Sequence, residues 1–291
     1  MSVAIIINPL SGGASPSKGR RRAELAADAL AKAGEQGDVF VTERRGHAAE
    51  LATASARRGA RLVIAWGGDG TVNEVASALA FGSTALGIVP SGSGNGLARE
   101  LGISHRPHQA IAEALRATSR SIDAGELGGR LFFNLAGLGF DAHLAACFDR
   151  DTSGRRGLRT YARLIAREMF RYPAGKYCVD GTDIDRALLV TIANSRQFGN
   201  GALVAPSARL DDGLLDLVVF REATRLGAIA TIPRFFTGGF ERVKGVTVRR
   251  FERITISADR PIAFHVDGEP VAGGAILEGR VHPGALQVAV R

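Results

Sequence analysis

Arg61-Leu62-Val63-Ile64-Ala65-Trp66-Gly67-Gly68-Asp69-Gly70-Thr71-Val72-Asn73-Glu74-Val75 carries the fold assignment. A strand pattern, Arg61 to Trp66, breaks into glycines and then into a helical pattern from Thr71 to Leu79. A run apolar at every position, such as Val3-Ala4-Ile5-Ile6-Ile7, predicts a strand covered on both faces. The same grammar repeats on either side. Val3 to Ile7 is an apolar run that ends at Asn8-Pro9, and Lys18 to Ala33 reads as an amphipathic helix closed by Gly34. Asp38 to Thr42 reads as a strand, His47 to Arg58 as a helix followed by Gly59, and Ala85 to Val89 as a further strand before another glycine cluster and helix. Strands alternating with helices predict a parallel sheet with helices on both faces.

Beyond about residue 120 the pattern changes. Short runs at Leu131-Phe132-Phe133, Ala187 to Ile192, Leu214 to Phe220, Val246 to Val248, Ile254 to Ser257, Ala263 to Val266 and Leu286 to Val290 are punctuated by Gly, Pro and Asp. This spacing predicts an antiparallel sandwich, interrupted by one helix around Arg155 to Tyr172. The expected fold class is α/β plus β: an N-terminal parallel-sheet nucleotide-binding domain over 1–120 and a β-sandwich domain over 121–291. The boundary is placed near Ser119–Ser121, and the extreme C-terminus is expected to pack back on the first domain.

Composition narrows the class. Of 291 residues, 45% are hydrophobic and 23% charged, which excludes a disordered or coiled-coil chain. The two cysteines, Cys147 and Cys178, cannot build a disulfide framework and read as small core residues in a reducing compartment. No apolar run approaches the about 18 residues of a membrane span, and Met1-Ser2-Val3 lacks a basic leader, so a cytoplasmic protein is expected. The net charge is +8, with 14 basic against 10 acidic residues up to 120 and 23 against 19 after it. An even basic excess favours anionic partners such as phosphates or acidic lipid. Aromatics at 6% and the lack of a nucleic-acid-binding motif make nucleic acid the weaker partner.

In an open parallel sheet, ligands bind beyond the carboxyl ends of the strands. Three glycine loops fall there: Asn8-Pro9-Leu10-Ser11-Gly12-Gly13, Gly67-Gly68-Asp69-Gly70-Thr71 and Ser91-Gly92-Ser93-Gly94-Asn95. Glycines let backbone amides approach an anion, and small hydroxyl and amide side chains add partners. No Lys-Ser/Thr pair closes any of these loops, and the spacing of Gly92, Gly94 and Gly96 is not that of a dinucleotide fingerprint. A carboxylate at Asp69 would repel a phosphate unless a cation such as Mg²⁺ stood between them. The alternative for Asp69 is a turn-forming role on its own backbone. Glu74 near a helix start also suits the helix dipole.

These stretches, with Gly137-Leu138-Gly139-Phe140-Asp141-Ala142, Asn194, Phe198-Gly199-Asn200-Gly201, Ala205-Pro206-Ser207-Ala208, Asp211-Asp212-Gly213-Leu214-Leu215-Asp216 and Asp267-Gly268-Glu269-Pro270, run nearly the whole length of the chain. In that order they resemble the diacylglycerol kinase catalytic-domain family of soluble bacterial lipid kinases, relatives of sphingosine kinases. The resemblance implies an NAD kinase-like nucleotide domain and a β-sandwich lipid domain with the active site in the cleft between them. It implies ATP contacts at Asn8, Ser11, Thr42, Gly68, Asp69, Gly70, Thr71, Asn73, Glu74 and Ser93, and the loop reading adds Gly12, Gly67 and Asn95. Asp69 would act through Mg²⁺. A second, structural Mg²⁺ would correspond to Arg209, Asp212 and Leu214, partly through main-chain oxygens. Glu269, with Asp267 beside it, stands where the family places its general base; Asp267-Gly268 is also a strong hairpin signal by itself. Gly96 occupies a position where the family often has an acidic residue, and Asn200 one where glycine is usual.

The expected activity is Mg²⁺-dependent transfer of the γ-phosphate of ATP to a hydroxyl of a diacylglycerol-like or long-chain lipid. The rivals are an NAD kinase-type phosphotransferase and a catalytically silent nucleotide-binding regulator. Arg155, Arg159, Arg163, Arg167 and Arg171 recur every four residues, which reads as a basic helix face for anionic headgroups at the inner face of the membrane, or as a plain solvated face. Phe235, Phe236 and Phe240 beside Arg234, Arg242 and Lys244 form a second aromatic-basic candidate, for which ordinary core phenylalanines are the favoured reading. A homodimer stays open. Of six histidines only His105 and His108 lie close in sequence, off any firm helix, so no zinc site is expected.

Overall fold

The computed structural model describes residues 2–13, 16–150, 167–169, 171–221 and 224–290. The chain divides into two compact units, Met1–Ile122 with Gly284–Arg291, and Asp123–Pro283.

In the first unit, β1 (Val3–Ile7), α1 (Pro16–Ala33), β2 (Gly37–Val41), α2 (His47–Arg57), β3 (Leu62–Gly67), α3 (Asp69–Leu79), β4 (Ala85–Pro90), α4 (Gly96–Glu100) and α5 (Pro107–Arg116) follow in order. The strands pair in parallel in the order β4-β3-β1-β2. Every residue of β1, β3 and β4 is buried, as continuous apolar runs require. Ala26 and Leu30 of α1, and Ala110, Ile111, Ala114 and Leu115 of α5, pack on Val3, Ile5, Ile64 and Trp66. The register pairs Ile7 with Trp66 and Gly67 with Pro90, so the chain leaves β1, β3 and β4 at one edge of the sheet.

The second unit begins within β5 (Thr118–Leu127). It contains β6 (Arg130–Phe132), β7 (Leu135–Gly139), α6 (Phe140–Arg150), β8 (Gly175–Val179), β9 (Thr182–Ala193), β10 (Gln197–Gly199), β11 (Ala202–Leu203) and β12 (Leu215–Arg221). Then come α7 (Arg225–Phe236), β13 (Val246–Phe251), β14 (Arg253–Ser257), β15 (Ala263–Val266), β16 (Glu269–Ala272) and the start of β17 (Ile276–Val290), whose end returns to β4 through Val288 and Leu86. Pairing in this unit is antiparallel throughout, β16-β15-β7-β9 with β8-β14 and β12-β13 branching from β9.

Both faces of β12 are covered. Leu215, Leu217 and Val219 join one core with Phe132, Ile192 and Phe264. Val218 and Phe220 join another with Phe140, Leu144 and Phe240. This is the period-2 alternation of a strand used on both sides.

Two helices, α6 and α7, were not read from the sequence: the first follows a glycine pair and the second carries Pro233 in its interior. The helix expected around Arg155 to Tyr172 falls mainly outside the described residues; of it, 167–169 are helical. Cys147 and Cys178 are half-buried rather than core residues. Phe240 is fully buried and stacked on Phe235, so it belongs to the core, whereas Phe236 is exposed.

The three glycine loops touch backbone to backbone. Gly12 has φ +72° and a Cβ there would stand 2.4 Å from the Ser91 carbonyl oxygen; one on Gly92 would stand 2.7 Å from Gly68 Cα. A main chain cannot swing away as a flexible side chain can. Gly92→Ala is therefore expected to lower unfolding free energy by about 1–3 kcal/mol in urea titrations, as overpacking does; wild-type stability would contradict this contact.

Candidate active site

The first cluster lies wholly in the first unit. Asn8 Nδ2 donates to Thr71 Oγ1 at 2.8 Å, joining the β1 loop to the start of α3. Ser11 Oγ and Ser91 Oγ share a 2.7 Å hydrogen bond, joining the β1 loop to the β4 loop. Thr42 is buried at the end of β2, its N–H donating to Ile7 at 2.8 Å. Ser93 is exposed at the tip of the third loop. Gly67, Gly68, Gly70 and Thr71 form the turn from β3 into α3, with Gly68 capping the helix. The sequence-predicted nucleotide residues thus gather at one edge of the sheet.

Asp69 joins the second and third loops. Its Oδ2 accepts the Asn95 N–H at 2.9 Å and its Oδ1 accepts the Gly96 N–H at 2.8 Å, the amides that open α4. Asn95, with φ +50°, closes the loop on itself: its Oδ1 accepts from Gly92 N–H at 2.9 Å and its Nδ2 donates to the Gly92 carbonyl at 2.8 Å. Within 91–95 the amides of Ser91, Gly92 and Asn95 donate to the Gly67 carbonyl, Asn95 Oδ1 and Asp69 Oδ2, as buried polar groups require. The amides that open α4 therefore face Asp69. Burial pushes the Asp69 carboxyl above its usual range, against the pull of those two amides and of Arg99.

A carboxylate has about four lone-pair directions, so two amides leave room for a cation. A buried acid whose charge is under-compensated fits Mg²⁺ in kind. Asn73 and Glu74 sit one turn along α3. Asn73 Oδ1 accepts from Ser77 at 3.4 Å, and Glu74 Oε1 accepts the Gly46 N–H at 2.9 Å, fastening the start of α2.

Three cations at these loops were missed in the sequence. Lys18 Nζ donates to the Gly13 carbonyl at 2.5 Å, and Arg99 Nε to the Gly94 carbonyl at 3.1 Å. Arg22 donates to the Asn8 carbonyl at 2.8 Å, to Ser11 Oγ at 3.0 Å and to the Ser11 carbonyl at 2.9 Å, and it lies over the Trp66 ring. Burial lowers the Arg22 pKa. Lys18 and Arg22 are four apart on α1, a one-face spacing that was legible.

The second cluster lies wholly in the second unit. Val266 pairs with Glu269, so Asp267-Gly268 is a two-residue hairpin turn with φ +47° and +85°. Asp267 accepts three backbone N–H groups: Phe133 at 3.0 Å, Asn134 at 2.9 Å and Leu135 at 3.0 Å. Backbone amides thus take three of its about four lone-pair directions; Glu269, the other base candidate, is half-buried at the start of β16. Below the turn, the Gly268 N–H donates to His265 Nδ1 at 3.3 Å. His265 Nε2 is then the protonated nitrogen and faces Asp141 Oδ2 at 3.3 Å, which also accepts from Thr191 at 3.2 Å. This buried support was not found from sequence, because Asp141 and Thr191 lie far from His265 along the chain.

The proposed second metal loop is also in this unit. Asp212 Oδ1 accepts the Leu214 N–H at 3.2 Å, while Arg209 turns its guanidinium to Asp211 at 3.5 Å. Asp212 and Leu214 line a cavity of about 500 Å³ with Glu252 and Arg253. Oxygen donors of this kind suit Mg²⁺; Arg250, 3.9 Å from Asp212 Oδ2, competes for the carboxylate.

The diacylglycerol kinase catalytic domain matches residues 2–127, and the YegS C-terminal NAD kinase beta sandwich-like domain matches residues 135–290. A Pseudomonas aeruginosa protein named "Probable lipid kinase YegS-like" is 34% identical over 277 residues, 93% of this chain and 90% of its own length. The chain belongs to the YegS-like lipid kinases of the diacylglycerol kinase catalytic-domain family. A Chromohalobacter salexigens protein of the same name is 31% identical, over 82% of this chain and 79% of its own. Two Bacillus anthracis structures share the fold over 100% of this chain. One carries the description diacylglycerol kinase (TM-score 0.72, 19% identity, 97% of that chain); the other carries it provisionally (TM-score 0.81, 22% identity, 95% of that chain).

For this YegS-like chain, the Asp69 bonds carry a direct test. Asp69→Ala leaves two amides without an acceptor and is expected to cost about 1–3 kcal/mol in urea unfolding. Asp69→Asn, which keeps one acceptor oxygen, is expected to cost less. Equal stability of Asp69→Ala and wild type would contradict the assignment.

Proposed function

We propose that the protein transfers the γ-phosphate of ATP to the hydroxyl of a diacylglycerol-like or long-chain lipid, with Mg²⁺ as cofactor. The observation that carries this reading is the joining of three glycine loops through Asp69, Asn8 and Ser11 in a chain of the lipid kinase family. Phosphoryl transfer asks a protein for positioning and charge compensation more than for covalent chemistry. Lys18, Arg22 and Arg99 supply positive charge beside the loops, and Ser11, Thr42, Thr71, Ser93 and Asn8 supply neutral polar groups. Asp69 would hold the nucleotide's Mg²⁺, which neutralises phosphate charge when bound. Asp212, with main-chain oxygens at Arg209 and Leu214, would hold a structural one.

Glu269 accepts the proton of the attacking lipid hydroxyl. The hydroxyl oxygen forms the new bond to phosphorus, and the bond to the departing nucleoside diphosphate breaks. Asp267 positions Glu269 by fixing the turn to residues 133–135, and His265 supports that turn from beneath.

A lipid acceptor requires contact with a membrane surface. Among the described residues no helix is long and apolar enough to cross a membrane. Leu226 and Phe236 of α7 are exposed, and exposed apolar groups with basic neighbours such as Arg234 suit an acidic interface. The arginine repeat considered for this role has Arg155, Arg159 and Arg163 outside the described residues.

Incubation with labelled ATP and either a total lipid extract or NAD tests the reading. Label is expected in a lipid product and not in a phosphorylated dinucleotide; label on NAD, or on nothing, would overturn it. Glu269→Gln is expected to lower kcat by about 10²–10⁴-fold with ATP affinity kept. Wild-type kcat in that variant would remove Glu269 from its role. Binding to vesicles is expected to require acidic lipid and to weaken as salt rises from low to physiological ionic strength; binding indifferent to both would reject the membrane-surface assignment.

A further inference from the structure

One cluster of metal-ligating side chains lies outside the sites above. His143 and Cys147 are four residues apart on α6, so they share a helix face. Glu168, in the helical turn at 167–169, approaches that face. His143 Nε2 stands 2.9 Å from Glu168 Oε2 and 3.6 Å from Cys147 Sγ, and the three ligand atoms lie within 4.8 Å of one another. One ring nitrogen therefore faces both a carboxylate and a thiol. From these distances we propose that His143, Cys147 and Glu168 form a site for a divalent transition metal of the zinc type.

The chemistry of the donor set fits that class. Zinc takes Cys sulfur at about 2.3 Å and His nitrogen at about 2.0–2.1 Å, which in a tetrahedron sets the two ligand atoms about 3.5 Å apart. The His143–Cys147 separation already matches, and the His143–Glu168 pair needs to open only slightly. Mixed sulfur, nitrogen and oxygen ligands select zinc or cobalt over Mg²⁺, which prefers oxygen alone. Binding converts the Cys147 thiol to thiolate, with its proton released to solvent. Thiolate and carboxylate then balance the dication.

The surroundings resemble a prepared outer shell. Arg167 Nε donates to Glu168 Oε1 at 2.7 Å, which orients the carboxylate and leaves Oε2 to the site. The His143 ring is packed against Tyr172 at 5.1 Å and Phe140 at 6.5 Å between centroids, which limits its rotation. Three protein ligands leave a fourth position for water. The sequence reading weighed the histidines and the cysteines separately and expected no zinc site. The histidine is joined here by a cysteine one turn on and by a glutamate twenty-five residues away, a spacing that no zinc signature covers.

Titration of metal-stripped protein with Co²⁺ tests the site without any kinase assay. One equivalent of Co²⁺ per chain is expected to give a thiolate-to-cobalt charge-transfer band in the near ultraviolet, displaced by Zn²⁺. Cys147→Ser is expected to abolish the band, and Cys178→Ser to keep it. His143→Ala and Glu168→Gln are expected to weaken binding by at least about 100-fold, the upper end of what loss of an outer-shell partner produces. Absence of the band in the wild-type protein would overturn the proposal whatever the variants do. So would an unchanged band in Cys147→Ser.

Discussion

A single carboxylate organises the edge of the parallel sheet. Asp69 sits between glycines, where no side chain can shield it, and takes the two backbone amides that open α4. Burial works against its charge and those amides work for it. The compromise fastens the β3 loop to the β4 loop, while Asn8 and Ser11 fasten the β1 loop to both. The glycines are required by the same geometry: a Cβ on Gly12 or Gly92 would occupy space held by a neighbouring main chain. Loop sequence and loop packing are thus one constraint.

The second unit repeats the device with different parts. Asp267 gathers the amides of three successive residues, and the turn it occupies presents Glu269 at the start of β16. In both units an acidic residue beside a glycine is used first to hold backbone. The groups so positioned are Glu269 in one unit and the loop hydroxyls and cations in the other, those to which the proposed reaction assigns roles.

Much of the first unit was legible in the sequence because β1, β3 and β4 are buried on both faces and therefore almost wholly apolar. Val3–Ile7 is found where the run predicts it, and the helix and strand boundaries through Pro90 shift by no more than two residues. Two effects hid the rest. Strands such as β7 and β16 are short and carry glycine or proline, so their period cannot be read. Asp69 was legible as a special residue but not as a ligand of Asn95 and Gly96, because a hydrogen bond across twenty-six residues leaves no trace in local pattern. The same holds for His265 on Asp141 and for Glu168 on His143. The family resemblance, carried by motifs along nearly the whole chain, agrees with the domain matches over residues 2–127 and 135–290.

Amide hydrogen exchange with and without Mg²⁺ and ATP addresses the central claim most directly, that the Asp69-bound loops form the nucleotide cradle. Slowed exchange is expected in peptides covering residues 8–13, 67–73 and 91–96, with the remaining strand ends of the first sheet unchanged. Nucleotide binding that leaves all three loops exchanging at their unliganded rates would contradict the account.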